Sequence, residues 1–192
     1  MEKYTLYIDE VGRGSIAGPV LTAGILVKNN NKLKYTYYDS KSISSKKREF
    51  LYEKIKIENI KVYTGTASNK EIDRYGINYA LSLSVRRMIK KIDYFPDKIV
   101  LDGNYNYIKL AMKKNIDIEC IIKGDKINNY LSCASIYAKV TRDKMMIKSS
   151  KYYPNYDFDK NKGYGTNTHY QSIEKFGLSD KHRKSFIKKQ SS

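Results

Sequence analysis

The chain has 192 residues, enough for one domain with a sizeable core. Lys and Arg number 37 against 20 Asp and Glu, a formal net charge of +17, while 41% of residues are hydrophobic and 12% aromatic. That apolar content excludes a disordered basic tail, and no stretch approaches the roughly 18 apolar residues that a membrane span requires.

Such a charge points to a polyanionic partner, either nucleic acid or an acidic membrane face. The sequence carries no basic amphipathic anchor helix, which argues against the membrane. Met1-Glu2-Lys3-Tyr4 lacks the basic start and apolar run of a secretory signal. Cys120 and Cys133 have neither metal-ligand spacing nor a disulfide framework. A reducing, cytoplasmic setting is the expectation.

In chain order, Tyr4–Ile8 reads as the first strand, apolar and β-rich. The segment from Gly12 to Pro19 turns the chain into a second strand, Val20–Lys28, and the two form an expected hairpin. Asn29-Asn30-Asn31 reads as a turn. Ser44 or Ser45 caps a helix over Lys46–Ile57. Ile60–Ala67 is the third strand. Ile77, Leu81, Val85, Met88 and Ile92 then recur at helical spacing as one apolar stripe. Lys98–Leu101 and Asp117–Lys123 are the fourth and fifth strands. Asn129–Lys148 is a longer helix, with Ala134, Ser135 and Ala138 on a face suited to close packing. Thr168–Phe176 is a last helix, ended by Gly177.

This order predicts an α/β layer with a mixed sheet. No linker or repeat divides the chain, so residues 1–192 read as one domain. From Lys144 onward there are eleven Lys and Arg against four acids, which makes a basic, helical C-terminal part.

Three strand ends present a carboxylate. Asp9-Glu10 follows the first strand, Asp102 the fourth and Asp125 the fifth. Side chains alternate across a strand, so Asp9 and Glu10 share one site only if the strand ends or bulges there. For the bare pair, a solvated acidic strand end is the simpler reading. Together the carboxylates suit a hard cation, since Mg²⁺ and Mn²⁺ prefer oxygen ligands. Two divalent ions about 3.5–4 Å apart can activate water and stabilise the leaving oxygen of a phosphodiester. A basic surface around an acidic centre suits a nuclease or polymerase.

Tyr7-Ile8-Asp9-Glu10-Val11-Gly12-Arg13-Gly14-Ser15-Ile16-Ala17-Gly18-Pro19-Val20 closely resembles the N-terminal signature of type 2 ribonucleases H, the ribonuclease HII family. Asp39-Ser40-Lys41 looks like the family's Asp-Ser-Lys turn. Leu101-Asp102-Gly103-Asn104 and Lys123-Gly124-Asp125 fit its later acidic motifs. The run from Ala134 to Asp143 resembles the helix that follows them. Lys162-Gly163-Tyr164-Gly165-Thr166, His169 and His182-Arg183-Lys184-Ser185-Phe186 match its C-terminal signature in order.

The resemblance implies a ribonuclease H-like fold, a five-stranded mixed sheet flanked by helices with a helical C-terminal portion. It implies cleavage of the RNA strand of RNA–DNA hybrids and incision 5′ to single ribonucleotides in duplex DNA, leaving a 3′-hydroxyl and a 5′-phosphate. By the same likeness Asp9, Glu10, Asp102 and Asp125 hold two divalent ions, Mg²⁺ or Mn²⁺. Gly12, Arg13 and Gly14 read the 2′-hydroxyl through their backbone, Tyr164 packs on the sugar beyond the ribonucleotide, and Lys41 contacts a phosphate.

Ser15 stands where the family often has proline. No clamp-binding motif is evident after Phe186, and a monomer is the expectation. His169 and His182 read as structural or phosphate-facing. Asp143 reads as the ion-pair partner of Arg142, and the Lys181–Lys189 stretch as a phosphate-attracting segment.

Overall fold

The computed structural model describes residues 3–29, 31–58, 60–103, 107–108 and 116–187. Asn30 of the expected turn, Asn104 of the second acidic motif and the tail from Lys188 lie outside them. The strands are β1 (Tyr4–Val11), β2 (Val20–Lys28), β3 (Lys61–Ala67), β4 (Lys98–Asp102) and β5 (Asp117–Ile121). The helices are α1 (Ser45–Ile57), α2 (Asn69–Tyr75), α3 (Ile77–Ile89), α4 (Gly124–Ile127), α5 (Asn129–Ser150), α6 (Phe158–Asn161) and α7 (Asn167–Phe176).

The strands form one mixed sheet in the order β3-β2-β1-β4-β5. β2 runs antiparallel to both β1 and β3, while β4 and β5 run parallel to β1. The expected five-stranded sheet flanked by helices is therefore present. The carboxyl ends of β1, β4 and β5 meet at one edge, where open α/β sheets carry their sites.

Helix starts follow their capping residues. The Ser44 hydroxyl accepts the Lys47 amide at 3.2 Å and opens α1. α2, which the hydrophobic pattern does not predict, begins at a reciprocal capping box between Ser68 and Glu71. Seven residues are too few to show a helical period.

Each sheet face has its own core. Leu6, Ile8, Ile99 and Leu101 pack with Leu81, Val85 and Met88 of α3. Those three α3 side chains are fully buried, and burial of each contributes about 1.5–3 kcal/mol. On the other face Ile25 and Val27 pack with Leu51 and Ile55 of α1 and with Cys133, Ala134 and Ile136 of α5. Tyr7 lies on this second face. The small face of α5 does pack closely, with Ala134 and Ala138 fully buried.

One expectation needs correction. β1 neither stops nor bulges at Asp9; its register with β2 runs unbroken through Asp9↔Ala23, Glu10↔Thr22 and Val11↔Leu21. The basic C-terminal part is helical as expected, made of the end of α5, of α6 and α7, and of 3-10 turns at Pro154–Tyr156 and Lys184–Phe186. Near Lys181 the backbone is committed elsewhere: His182 bridges to Ala17, and the Lys181 carbonyl accepts the Gly18 amide at 2.8 Å.

Candidate active site

Strand alternation decides where each acid points. Asp9 follows Ile8 onto the Tyr7 face, toward Ser135 of α5, and is buried. Glu10 takes the opposite face, where its Oε2 accepts the Tyr107 hydroxyl at 2.7 Å. The pair thus straddles the end of β1. The β1–β4 ladder stops at Ile8↔Leu101, so the next residue on each strand is an acid, Asp9 beside Asp102.

Asp102 Oδ1 accepts the Gly124 amide at 2.7 Å. Lys123, in a left-handed conformation with φ 57°, turns the chain so that this amide reaches back. That contact anchors the start of α4 and with it Asp125, which is buried. One strand edge therefore gathers all four sequence-predicted carboxylates.

Their electrostatics are those of crowded anions. Burial raises Asp9 well above the ordinary carboxylate range, and Glu10 and Asp102 push it further; the Ser135 hydroxyl and the Glu10 amide work against this. Burial also raises Glu10, countered by the Tyr107 hydroxyl and Arg13. Asp125 is raised by burial, then by Asp102 and Asp39. Lys41 lowers both Glu10 and Asp125, so it faces the cluster.

Among the described residues no three His, Cys, Asp or Glu side chains are grouped closely enough to hold a metal ion as they stand. The donors nevertheless fit a hard divalent cation: they are oxygens, partly buried, and Lys41, Arg13 and the Tyr107 and Ser135 hydroxyls offset their burial and mutual repulsion only in part. Asp39 lies beside Asp125. Its Oδ2 sits 4.0 Å from Lys126 Nζ, and it raises Asp125.

A cleft of about 330 Å³ joins this edge to the C-terminal segment. It is lined by Asp9, Glu10, Lys41, Ser135, Lys139 and Tyr164, among others. Tyr164 lies under two cations, Lys139 Nζ at 5.4 Å and the Arg142 guanidinium at 5.6 Å from its ring centre.

The Gly12–Gly14 turn stands beside the cleft on a buried scaffold. Arg142 and Arg183 are both fully buried. Arg142 donates to the carbonyls of Ala17, Pro19 and Lys162 at 3.1, 2.9 and 2.8 Å. Arg183 donates to Gly18 and Arg13 carbonyls at 3.0 and 3.1 Å. Gly163 closes the arrangement by accepting the Ile16 and Ala17 amides at 2.9 and 3.1 Å. Asp143 is not the partner of Arg142, as the sequence suggested; it pairs with Lys139 at 2.9 Å. One turn of helix separates Lys139 from Asp143, whereas Arg142 projects into the core.

Sequence reasoning missed Tyr107, Ser135, Lys139 and the roles of Arg142 and Arg183. Tyr107 is one of 19 tyrosines and sits in no motif. Ser135 was visible on the small-residue face of a helix, and Lys139 only within the Ala134–Asp143 run that resembles the family's helix.

Comparison with known proteins adds to this geometry. The family model described as Ribonuclease HII matches residues 6–189. A Ribonuclease HII of Pelagibacter ubique is 44% identical over 179 residues, covering 93% of this chain and 93% of that protein. The crystal structure of a ribonuclease H2 from Pyrococcus horikoshii aligns with a TM-score of 0.75 at 24% identity, over 95% of this chain and 93% of that one. The structure of Bst-RNase HIII in complex with Mn²⁺ aligns with a TM-score of 0.64 at 16% identity, over 91% and 63%.

Proposed function

Because the chain belongs to the ribonuclease HII family, and is on that ground an endoribonuclease that cleaves the RNA strand of RNA–DNA hybrids, we propose that it also incises duplex DNA 5′ to single embedded ribonucleotides. The observation that carries this reading is the gathering of four carboxylates at one sheet edge, two of which, Asp9 and Glu10, line a cleft that Tyr164 borders. Residues 1–192 act as one catalytic domain in this reading.

Asp9, Glu10, Asp102 and Asp125 would hold two divalent ions, Mg²⁺ or Mn²⁺. Such ions supply an activated water and charge stabilisation at the phosphorus, leaving a 3′-hydroxyl and a 5′-phosphate. The protein's part is to present the acids, which bound cations would hold ionised, and to seat the substrate. Lys41 faces the carboxylates and is placed for a phosphate oxygen. Gly12, Arg13 and Gly14 offer backbone to the 2′-hydroxyl, the group that marks a ribonucleotide in DNA. Tyr164 packs on the next sugar and reads the RNA-to-DNA junction.

Cleavage of a long hybrid and of a duplex with one ribonucleotide, side by side with Mg²⁺ and Mn²⁺, tests this. Both substrates should be cut, the second on the 5′ side of its ribonucleotide. Tyr164→Ala should reduce lone-ribonucleotide incision more than hybrid cleavage; equal losses would remove Tyr164 from junction reading.

A further inference from the structure

His169 and His182 lie outside the acidic cleft, at 1% and 2% exposure. Their Nε2 atoms are 3.0 Å apart. Nδ1 of His169 is 2.8 Å from the Tyr164 carbonyl oxygen, and the Ser179 amide points at Nδ1 of His182 from 2.8 Å.

The two ends decide the direction of this chain. A backbone N–H can only donate and a carbonyl can only accept. His182 Nδ1 must therefore be bare, and its proton sits on Nε2. That proton is donated to His169 Nε2, so the His169 proton sits on Nδ1 and goes to Tyr164. Both rings are neutral and each has one tautomer. A second proton on either ring would set two N–H groups head to head.

We propose that the His182–His169 pair is a hydrogen-bond relay that positions Tyr164 for substrate discrimination, an inference that rests on the junction-reading role given to Tyr164 above. The Tyr164 carbonyl is the end point, and the backbone before it is unusual. Lys162 and Gly163 both have positive φ, 51° and 81°, and the Tyr164 amide donates to the Asn161 carbonyl at 2.9 Å. A segment turned this sharply needs an external hold on its peptide planes. His169 supplies it from α7.

The pair's surroundings favour the neutral form. Tyr156 lies with its ring centre 4.9 Å from that of His182, and Phe158 lies 5.5 Å from His169. From α2, the Asn69 amide reaches the backbone carbonyls of Asp180 and His182 at 2.8 and 3.0 Å. Lys181 and Arg183 flank His182 in sequence, and the Arg183 guanidinium turns away to Gly18 and Arg13. Among the described residues no carboxylate is hydrogen-bonded to either ring. Burial holds both rings below the usual histidine range, so the relay persists at neutral pH.

The test uses the full chain. Nitrogen NMR of the imidazoles should find His169 protonated on Nδ1 and His182 on Nε2. Either opposite tautomer overturns the relay, whatever the activity. His182→Ala should lower the ratio of lone-ribonucleotide incision to hybrid cleavage about tenfold or more, since misplacing a positioning contact by about 1 Å can cost roughly 100-fold. His182→Gln, which keeps a donor aimed at His169, should restore most of that ratio. In a Tyr164→Ala background the His182 change should alter the ratio no further. An equal loss on both substrates, or a full further loss in that background, would make the pair merely structural. A Tyr164→Ala variant with an unchanged ratio would sink the reading of Tyr164 itself, while the tautomers judge the relay separately.

Discussion

Tyr107 donates its hydroxyl to Glu10 over 2.7 Å, from 97 residues along the chain. The phenol is buried, and the carboxylate it meets is one burial would rather protonate. The contact thus helps keep Glu10 ionised.

Tyr107→Phe keeps the ring and removes that proton. A hydrogen bond to a charged group is worth about 1.5–3 kcal/mol, so Glu10 should titrate roughly one to two pH units higher. Activity should fall near neutral pH, and the acidic limb of its pH profile should move up by about as much. An unmoved limb would separate Glu10 from the catalytic ionisations.

The crowded carboxylates link metal binding to stability. The folded pKa values of Asp9, Glu10 and Asp125 lie above their unfolded values. Without cations, stability is therefore lost as pH rises through those folded values. Ions that bind only the folded state restore it, by about 2.7 kcal/mol at 100 times the dissociation constant. Thermal unfolding should show a larger rise with Mn²⁺ at pH 8 than at pH 5. Asp9→Asn should abolish cleavage, retain duplex binding, and melt higher than the parent in EDTA. Full activity of Asp9→Asn would remove Asp9 from the site.

Gly12 and Gly14 should fail differently. Gly12 has φ 85°, and a Cβ there would collide with the buried Arg142 guanidinium. Gly12→Ala should cost at least about 1–3 kcal/mol by urea unfolding. A Cβ on Gly14 would meet nothing within 4 Å. Gly14→Ala should keep parental stability and raise KM for ribonucleotide-containing duplex, because its open face is where substrate backbone must approach.

The histidine pair adds an acid limit of opposite sign to that of the carboxylates. Burial, then His169, holds His182 down to about 4. Between roughly 6.5 and 4 the unfolded chain takes up a proton that the folded chain refuses, so stability falls as pH falls through that window. The His182 contribution is on the order of 3 kcal/mol. Urea unfolding at pH 7 and pH 5 should show a smaller difference for His182→Gln than for the parent.

Much of the architecture was legible because strand ends carry their chemistry locally. Tyr4–Ile8 before Asp9, and Ile99–Leu101 before Asp102, show apolar runs closing on an acid. What the pattern could not show was whether β1 bends. Its pairing to β2 as far as Val11↔Leu21 depends on a partner strand, not on its own residues. Local spacing likewise offered Asp143 to Arg142, yet three carbonyls from distant segments outcompeted it. Tyr107, Ser135 and the two buried arginines act across long sequence separations, where periodicity is silent. His169 and His182 could be placed in motifs, but the direction of their protons needed both ends of the chain of contacts.

The Arg183 contacts also order events in time. The turn at Gly12–Gly14 is synthesised early, but the guanidinium that fastens Gly18 comes 165 residues later. β1, β2 and β4 can pair long before it exists, so an acidic edge can form while the recognition loop is still slack. On the roles proposed for the carboxylates and the Gly12–Gly14 turn, a nascent chain would pass through a stage that can gather cations but not choose a substrate, and selectivity would arrive only when the segment around Arg183 docks.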